Sequence, residues 1–146
     1  MIYLDTHVVV WLFSGLTDKF SATAQKLIND NEIYISPVVR LELQYLFEIQ
    51  RVAEAPDTVV TDLANRIGLQ VCTRPFNRIV TQALTCTWTR DPFDRLITAN
   101  AALHDNVLLS KDRNILEHYA HARWDQQDRW SHAQPNLVLT PGVSTA

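Results

Sequence analysis

Glycine is scarce in this chain, with three residues among 146. Loops that wrap the phosphate groups of a nucleotide use several glycines, because backbone without a side chain can approach a phosphate closely. The shortage therefore nearly excludes a glycine-built phosphate loop. A chain of this length is one ordinary domain, and a content of 47% apolar residues is enough to fill its core.

Cysteine is also rare, since only Cys72 and Cys86 occur and no CxxC pair is present. This argues against a zinc knuckle and against a disulfide framework, and predicts two reduced, buried thiols in a cytoplasmic protein. No secretory signal is visible, because Asp5 interrupts the N-terminal apolar run. The run Val8–Phe13 is too short to cross a membrane, so no membrane partner is expected.

An excess of positive charge is absent, and the formal net charge is −3. Nonspecific affinity for a polyanion should therefore be modest, because such affinity grows with the number of basic contacts to phosphate. Ten of the thirteen basic residues are arginine, whose planar guanidinium suits two-point contacts with phosphate. The composition thus leaves a local nucleic-acid site possible while arguing against a broad basic surface.

Strand-like and helix-like segments alternate along the chain, which predicts an α/β fold with a mostly parallel sheet. We expect residues 1–124 to form one domain and 125–146 to form a C-terminal extension, with a last edge strand at 137–139 and a flexible end. Thr6 is the expected N-cap of the first helix. The predicted strands are 2–5, 33–35, 69–72 and 106–109, and the predicted helices are 6–14, 22–30, 37–51, 57–67, 75–87, 91–104 and 113–119.

Four acidic residues lie far apart in the sequence, each at the edge of an apolar segment: Asp5, Glu42, Asp94 and Asp112. Asp5 and Asp112 follow predicted strands, and sites in parallel sheets form beyond the carboxyl ends of strands, where the strand order switches. Glu42 and Asp94 border apolar faces of predicted helices. Carboxylates that converge in apolar surroundings need a cation. The pattern predicts a divalent-metal site that hydrolyses a phosphodiester.

Each acid also has a purely structural explanation. Asp5 and Asp112 could cap the helices that follow them, as aspartates at strand ends often do, and Asp94 could pair with Arg95 or cap its helix locally. Glu42 has no capping role in the middle of a helix, but it could pair with Arg40 or Arg51 across the surface. The sequence leaves each of these alternatives open for a single acid. Four separate structural explanations that hold at once require more coincidence than any one of them.

Four segments resemble, in order, the motifs of PIN-domain nucleases: IYLDTH at 2–7, SPVVRLEL at 36–43, DPFDRLITANA at 91–101 and LLSKD at 108–112. The third segment is particularly similar to the VapC-type toxins of bacterial toxin–antitoxin pairs. The resemblance covers residues 1 to about 124. It implies a three-layer α/β/α sandwich and an endoribonuclease that depends on Mg²⁺ or Mn²⁺.

The resemblance also assigns residues and partners. The acidic quartet of the family falls on the four acids named above, as catalytic residues and metal ligands, and its hydroxyl positions fall on Thr6 and Ser110. Asp91, three residues before Asp94, is interpreted as an N-cap. The implied partners are an RNA substrate, a cognate antitoxin that covers the acidic groove, and a second copy of the chain in a homodimer.

Basic residues flank the four acids in the sequence and are candidates for contacts with RNA phosphates: Arg40, Arg95 and Lys111, with Arg90 and Arg113 beside them. An apolar surface on the third long helix, at Tyr45–Phe47 and Ile49, is expected to join core packing with a dimer or antitoxin contact. The RNA sequence that is cut, the identity of the antitoxin and the number of metal ions cannot be predicted.

Three other functions remain open. A phosphatase of the haloacid dehalogenase type also has an aspartate after its first strand, but it needs a second one where this chain has His7. A phosphate-accepting receiver domain needs an aspartate after a middle strand, and Cys72–Arg74 supplies none. The third alternative is a PIN-like fold that only binds partners.

Overall fold

The computed structural model of the protein describes residues 1–125. The strands are β1 (Ile2–Leu4), β2 (Ile33–Ile35), β3 (Gln70–Val71), β4 (Val107–Leu109) and β5 (Ala122–Arg123). The helices are α1 (Thr6–Phe13), α2 (Ala22–Asp30), α3 (Pro37–Glu48), α4 (Pro56–Ile67), α5 (Phe76–Ala83), α6 (Pro92–Ala102) and α7 (Arg113–His118). A short 3₁₀ helix spans Thr17–Lys19.

The five strands form one sheet in the order β3-β2-β1-β4-β5, and every neighbouring pair is parallel. The predicted α/β/α sandwich with a parallel sheet is confirmed. The side chains of the central strand β1 are all buried, as expected for a parallel strand covered on both faces. The chain builds β2 and β3 on one side of β1 and then crosses to build β4 and β5 on the other. The strand order therefore switches between β1 and β4.

The helices begin where the sequence supplies capping groups. The Ser21 hydroxyl accepts a hydrogen bond from the Ala24 N–H, and Ser36 followed by Pro37 begins α3. The prediction that Thr6 caps α1 is wrong. Asp5 occupies the N-cap with an extended backbone, and its side chain accepts from the Thr6 N–H. The Thr6 hydroxyl, on the first helical residue, is therefore available for another partner.

Helix α3 ends at Glu48, three residues before the predicted end. Gln50 adopts a left-handed backbone with φ of 62°, a conformation that usually requires glycine. The Arg51 N–H then bonds the carbonyl of Leu46 and the Gln50 N–H bonds that of Phe47, which closes the helix in a Schellman motif. The periodic apolar pattern continues past this point, so it gave no sign of the turn.

Two further segments differ from the expectations. Helix α5 ends at Ala83 rather than near Thr87, and the Thr85 hydroxyl bonds the Gln82 carbonyl in the turn that follows. Strand β5, a two-residue strand paired with β4, was not predicted. The predicted strand at 137–139, with nearly all of the extension at 125–146, lies outside the described residues.

Both cysteines, Cys72 and Cys86, are buried and unpaired, as predicted. The Cys72 sulfur lies in the core, where it accepts hydrogen bonds from the Tyr3 hydroxyl and the Asn100 amide. In the part of the chain that the structure describes, no helix is long and apolar enough to span a bilayer.

Candidate active site

Topology brings the first and last of the four acids together. Asp5 directly follows β1 and Asp112 follows β4, and these two strands are adjacent at the switch in strand order. The Asp5 N–H continues the ladder by bonding the carbonyl of Leu109 at 3.0 Å. Side chains that follow these strands therefore meet at the crevice where parallel α/β sheets usually bind ligands.

The Asp5 carboxylate is buried, with 4% of the residue exposed, and it accepts two hydrogen bonds. The Thr6 N–H donates to Oδ1 at 2.8 Å, and the Ser110 hydroxyl donates to Oδ2 at 2.7 Å. The Ser110 oxygen in turn accepts from the Asp112 N–H at 3.0 Å. Ser110 thus connects Asp5 to the start of α7 and holds the Asp5 carboxylate in one orientation.

Glu42 reaches the same place from α3. The Thr6 hydroxyl donates a hydrogen bond of 2.5 Å to Glu42 Oε1, so Thr6 contacts two of the four acids. Within residues 1–125, neither Arg40 nor Arg51 forms a salt bridge with Glu42, and Arg40 pairs instead with Asp57 at 3.4 Å. Glu42 is half-buried, and its position depends on a hydroxyl rather than on an opposite charge.

Asp94 lies in the first turn of α6, and Asp91 is the N-cap of that helix. The Asp91 Oδ1 accepts from the N–H groups of Phe93 and Asp94, at 2.8 and 3.2 Å. The predicted capping role of Asp91 matches this geometry. The cap fixes the first turn of α6 and with it the direction in which Asp94 projects.

All four acids line one open cleft of about 460 Å³. One wall is apolar and the remainder is dominated by carboxylates. The lining residues are Asp5, Thr6, His7, Val10, Trp11, Glu42, Leu46, Arg51, Val52, Asp91, Asp94 and Asp112. Ser110 is fully buried and supports the cleft from below.

The carboxylates interact as one electrostatic group. Burial, followed by the charges of the neighbouring carboxylates, raises the pKa of Asp94 to about 7, and those neighbours are Asp5, Asp91, Asp112 and Glu42. Burial also raises the pKa of Glu42, and the hydrogen bond from Thr6 opposes this shift. The repulsion shows that the cleft concentrates more negative charge than the protein itself neutralises.

A divalent cation fits this set of donors. Within residues 1–125, no lysine or arginine nitrogen lies within 4.0 Å of any of the four carboxylates, and only His7 Nδ1 approaches one, at 3.6 Å from Asp5 Oδ2. Hard oxygen ligands suit Mg²⁺ and Mn²⁺. Among these residues, however, no three His, Cys, Asp or Glu side chains already form a metal-binding group. Water would therefore complete the coordination, as is usual for Mg²⁺.

The family model for the PIN domain matches residues 2–122, nearly the whole of the described chain. The chain belongs to the PIN-domain family. It is similar to Ribonuclease VapC22 of Mycobacterium tuberculosis, with 29% identity over 119 residues that cover 80% of this chain and 91% of the relative. The predicted resemblance to VapC-type PIN domains is confirmed.

A solved structure of VapBC2 from Rickettsia felis, bound to a DNA fragment from their promoter, has a similar fold. The TM-score is 0.59, and the match covers 86% of this chain and 100% of the matched chain. Because the sequence identity is 21%, this likeness shows that the fold is shared and nothing further.

In this PIN domain, the three predicted phosphate contacts lie in different surroundings. Lys111 is exposed beside Asp112, and its N–H donates to His7 Nε2 at 2.9 Å. Arg95 is half-buried, and its Nε donates to the Thr89 carbonyl at 2.9 Å. Arg40 lies in a separate hollow between α3 and α4, away from the acids.

Two basic residues of the cleft, Arg51 and His7, were not among the predicted site residues. Arg51 lines the cleft because the left-handed turn at Gln50 ends α3 early, and no sequence signal marks that turn. His7 joins α1 to the segment after β4 through Lys111. Its position directly after Asp5 and Thr6 was a signal, but its partner on a distant segment was not visible in the sequence.

Proposed function

We propose that this protein is a metal-dependent endoribonuclease, the toxin of a toxin–antitoxin pair, which hydrolyses RNA phosphodiester bonds in the acidic cleft. The observation that carries the proposal is the convergence of Asp5, Glu42, Asp94 and Asp112 in one cleft, where no lysine or arginine of residues 1–125 forms a salt bridge with any of them. The similarity to a relative named as a ribonuclease supports the choice of RNA as substrate.

The four carboxylates would hold Mg²⁺ or Mn²⁺, which when bound supplies an activated water and stabilises charge on the leaving oxygen. The remaining chemistry belongs to the chain. Thr6 and Ser110 restrict the Glu42 and Asp5 carboxylates to fixed orientations. The apolar wall, which includes Trp11, lowers the local polarity and strengthens the electrostatic interactions in the cleft.

Basic residues at the rim would hold the RNA backbone. Lys111 is adjacent to Asp112, and Arg51 lines the cleft itself, so both can reach a phosphate next to the cleaved bond. Arg95 is a weaker candidate than the sequence suggested, because its Nε bonds the Thr89 carbonyl. Arg40 would contact only RNA that extends far from the cleft.

The proposed partners are a cognate antitoxin and a second copy of the chain. The antitoxin follows from the similarity to VapC-type PIN domains, because VapC-type toxins belong to toxin–antitoxin pairs. Exposed apolar side chains on and after α3, at Leu41, Tyr45, Phe47 and Ile49, offer a surface for one of these partners. We also propose a cytoplasmic location, where both free thiols would stay reduced.

The deciding experiment is an RNA cleavage assay with Mg²⁺ or Mn²⁺, repeated with a chelator. Asp5→Asn and Asp94→Asn should each lower the cleavage rate by about two orders of magnitude or more. Each variant removes the negative charge of one proposed metal ligand, and the metal would stabilise the transition state less well. Asp18→Asn, at an exposed acid in the 3₁₀ helix, is the matched control and should cleave normally.

Cleavage that persists in the chelator would refute the metal mechanism. Full activity in both site variants would show that other acids carry the reaction. Hydrolysis of phosphomonoesters without RNA cleavage would favour the phosphatase alternative, and no hydrolysis at all would favour a binding module. Induced expression without an antitoxin should arrest growth, whereas harmless high expression would contradict the toxin function.

A further inference from the structure

Two aromatic rings outside the acidic cleft are stacked on each other. The ring planes of Trp88 and His118 differ by 1°, and their centroids are 5.2 Å apart. Trp88 is half-buried and packs against the hydrophobic core, whereas His118 is exposed. Nδ1 of His118 donates to the Asn114 carbonyl at 2.8 Å, because a carbonyl can only accept. His118 is thus a flat ring held in a fixed orientation on the surface.

Both rings belong to segments that meet the acidic cleft. His118 is the last residue of α7, and the N-cap of that helix is Asp112. The helical rise places His118 about 9 Å along the axis from Asp112. Trp88 lies in the segment that leads into α6, where Asp94 occupies the first turn. The stack therefore lies on the side of the cleft formed by α6 and α7.

The segment that carries Trp88 is held by side-chain hydrogen bonds. The Thr89 hydroxyl accepts from the Asp91 N–H at 3.2 Å, and the Thr89 carbonyl accepts from Arg95 Nε at 2.9 Å. Arg90 Nη1 donates to the Thr87 carbonyl at 3.0 Å. A surface held in this way loses little conformational entropy when a ligand packs on it.

Two exposed basic residues lie next to Asp112, at the edge of the acidic cleft. Lys111 and Arg113 flank Asp112 and are exposed, and within residues 1–125 neither one forms a salt bridge. Glu117, next to His118, is the one exposed acid on α7. Two exposed basic residues beside Asp112, at the start of the helix that ends with His118, favour a ligand that alternates phosphates with flat rings.

We propose that the outer face of His118, supported by Trp88, stacks an unpaired RNA base of the substrate. The proposal rests on the proposed ribonuclease function. With a stacked strand rising about 3.4 Å per nucleotide, the base would lie within about three nucleotides of the cleaved phosphate. Proteins commonly bind single-stranded RNA by stacking its bases on aromatic side chains, histidine included. Base-paired RNA would not use this face.

The test measures binding, so that it does not depend on cleavage. A dye-labelled, mixed-sequence RNA oligonucleotide without secondary structure is titrated with Mg²⁺ present, in an Asp94→Asn background. Adding His118→Ala should weaken binding about 5- to 100-fold, the usual range for loss of one stacked base. His118→Phe should restore the affinity because it keeps a flat ring. His104→Ala, at an exposed histidine beyond the far end of α6, is the matched control.

Salt dependence separates stacking from phosphate contacts. Lys111→Ala and Arg113→Ala should each reduce the slope of log affinity against log salt by about 1, whereas His118→Ala should leave the slope unchanged. An RNA series with one abasic nucleotide at successive positions should show one position at which removing the base weakens binding. That effect should disappear in the His118→Ala variant.

Equal RNA binding with and without His118→Ala, or failure of the Phe variant to restore it, would overturn the proposal. So would a His118→Ala protein that binds RNA normally but is no longer inhibited by its antitoxin, because the stack would then be a protein contact. The outcomes are distinguishable from failure of the proposed function. RNA cleavage by the wild type without any His118 effect refutes only the stacking. If His118→Ala weakens RNA binding and His118→Phe restores it, but the wild type does not cleave RNA, only the proposed nuclease function is refuted.

Discussion

The Thr6 hydroxyl donates a hydrogen bond of 2.5 Å to the Glu42 carboxylate, which joins the start of α1 to the middle of α3. Thr6 is the first residue of its helix, and its N–H also bonds the Asp5 carboxylate at 2.8 Å. Thr6 therefore contacts, through its hydroxyl and its backbone N–H, two acids that lie 37 residues apart along the chain.

Replacing Thr6 by valine removes the hydroxyl and keeps the shape. The Glu42 carboxylate then loses its donor, so its pKa should rise further and its orientation should loosen. A hydrogen bond to a charged group contributes about 1.5–3 kcal/mol, so RNA cleavage should fall about tenfold or more. Thr6→Ser keeps the hydroxyl and should retain most of the activity. Equal rates for the valine and serine variants would mean that the bond has no role in the reaction.

Replacing Asp91 by asparagine or alanine distinguishes a cap from a metal ligand. Asparagine is as good an N-cap as aspartate, so Asp91→Asn should keep both stability and most of the activity. Asp91→Ala loses the bonds to the N–H groups of Phe93 and Asp94 and should lower the stability by about 1 kcal/mol. Thermal unfolding and cleavage rates measure both effects. If Asp91→Asn were as inactive as Asp94→Asn, the capping interpretation would be wrong.

The stability of the metal-free protein should depend on pH through Asp94. Its pKa in the folded protein is about 7, against 3.8 for the ordinary side chain. The folded state therefore binds more protons than the unfolded state between these values, and stability falls as pH rises from about 4 to 7. The Asp94→Asn variant has no carboxyl group at this position, so it does not lose stability in this way. At pH 8 its melting temperature should exceed that of the wild type by a few degrees. This corresponds to a difference in the free energy of unfolding on the order of 1 kcal/mol, after allowing for solvent screening.

The comparison at pH 4 provides the internal control, because this pH lies close to the ordinary pKa of 3.8, where little of the loss of stability has accumulated, and the difference should be small. Asp18→Asn, at an exposed acid outside the cleft, is the control variant. A difference in melting temperature that stays constant from pH 4 to 8 would exclude ionisation of Asp94 as its cause.

Adding Mn²⁺ or Mg²⁺ should raise the melting temperature of the wild type, because an ion that binds only the folded state stabilises it. At a free-ion concentration one hundred times the Kd, the gain is about 2.7 kcal/mol. Glu42→Gln should reduce this gain, and Glu48→Gln, at an exposed acid on the same helix, should preserve it. If neither ion changed the melting temperature of the wild type, the cleft would not bind them when RNA is absent.

Much of the fold follows from local sequence. Apolar triplets predicted the three strands β1, β2 and β4, and Ser36 with Pro37 marked the start of α3. The sheet rule placed Asp5 and Asp112 at one edge, and the structure has them lining one cleft. Strand β5 escaped prediction because its residues, alanine and arginine, have no strand preference and are held only by pairing with β4.

The details of the site could not be predicted from the sequence, because they depend on contacts between distant segments. Nothing near Thr6 indicates that its hydroxyl meets Glu42, so the local pattern suggested a capping role instead. Arg51 reaches the cleft only because Gln50 accepts a left-handed backbone, against the preference of its residue type. The pKa of Asp94 likewise reflects its burial in the folded protein and then carboxylates that come from three other parts of the chain.

The central position of β1 has a consequence for synthesis of the protein. Strand β1 is made first, but its second neighbour, β4, and the Ser110 hydroxyl that bonds Asp5 are made late. At about 5–20 residues per second, a ribosome needs roughly 5–20 s to travel from Asp5 to Asp112. Until then one edge of β1 has no neighbouring strand, and the acidic cleft is incomplete. Under the proposed function, this order of synthesis means that the chain cannot cleave RNA before most of it has been translated.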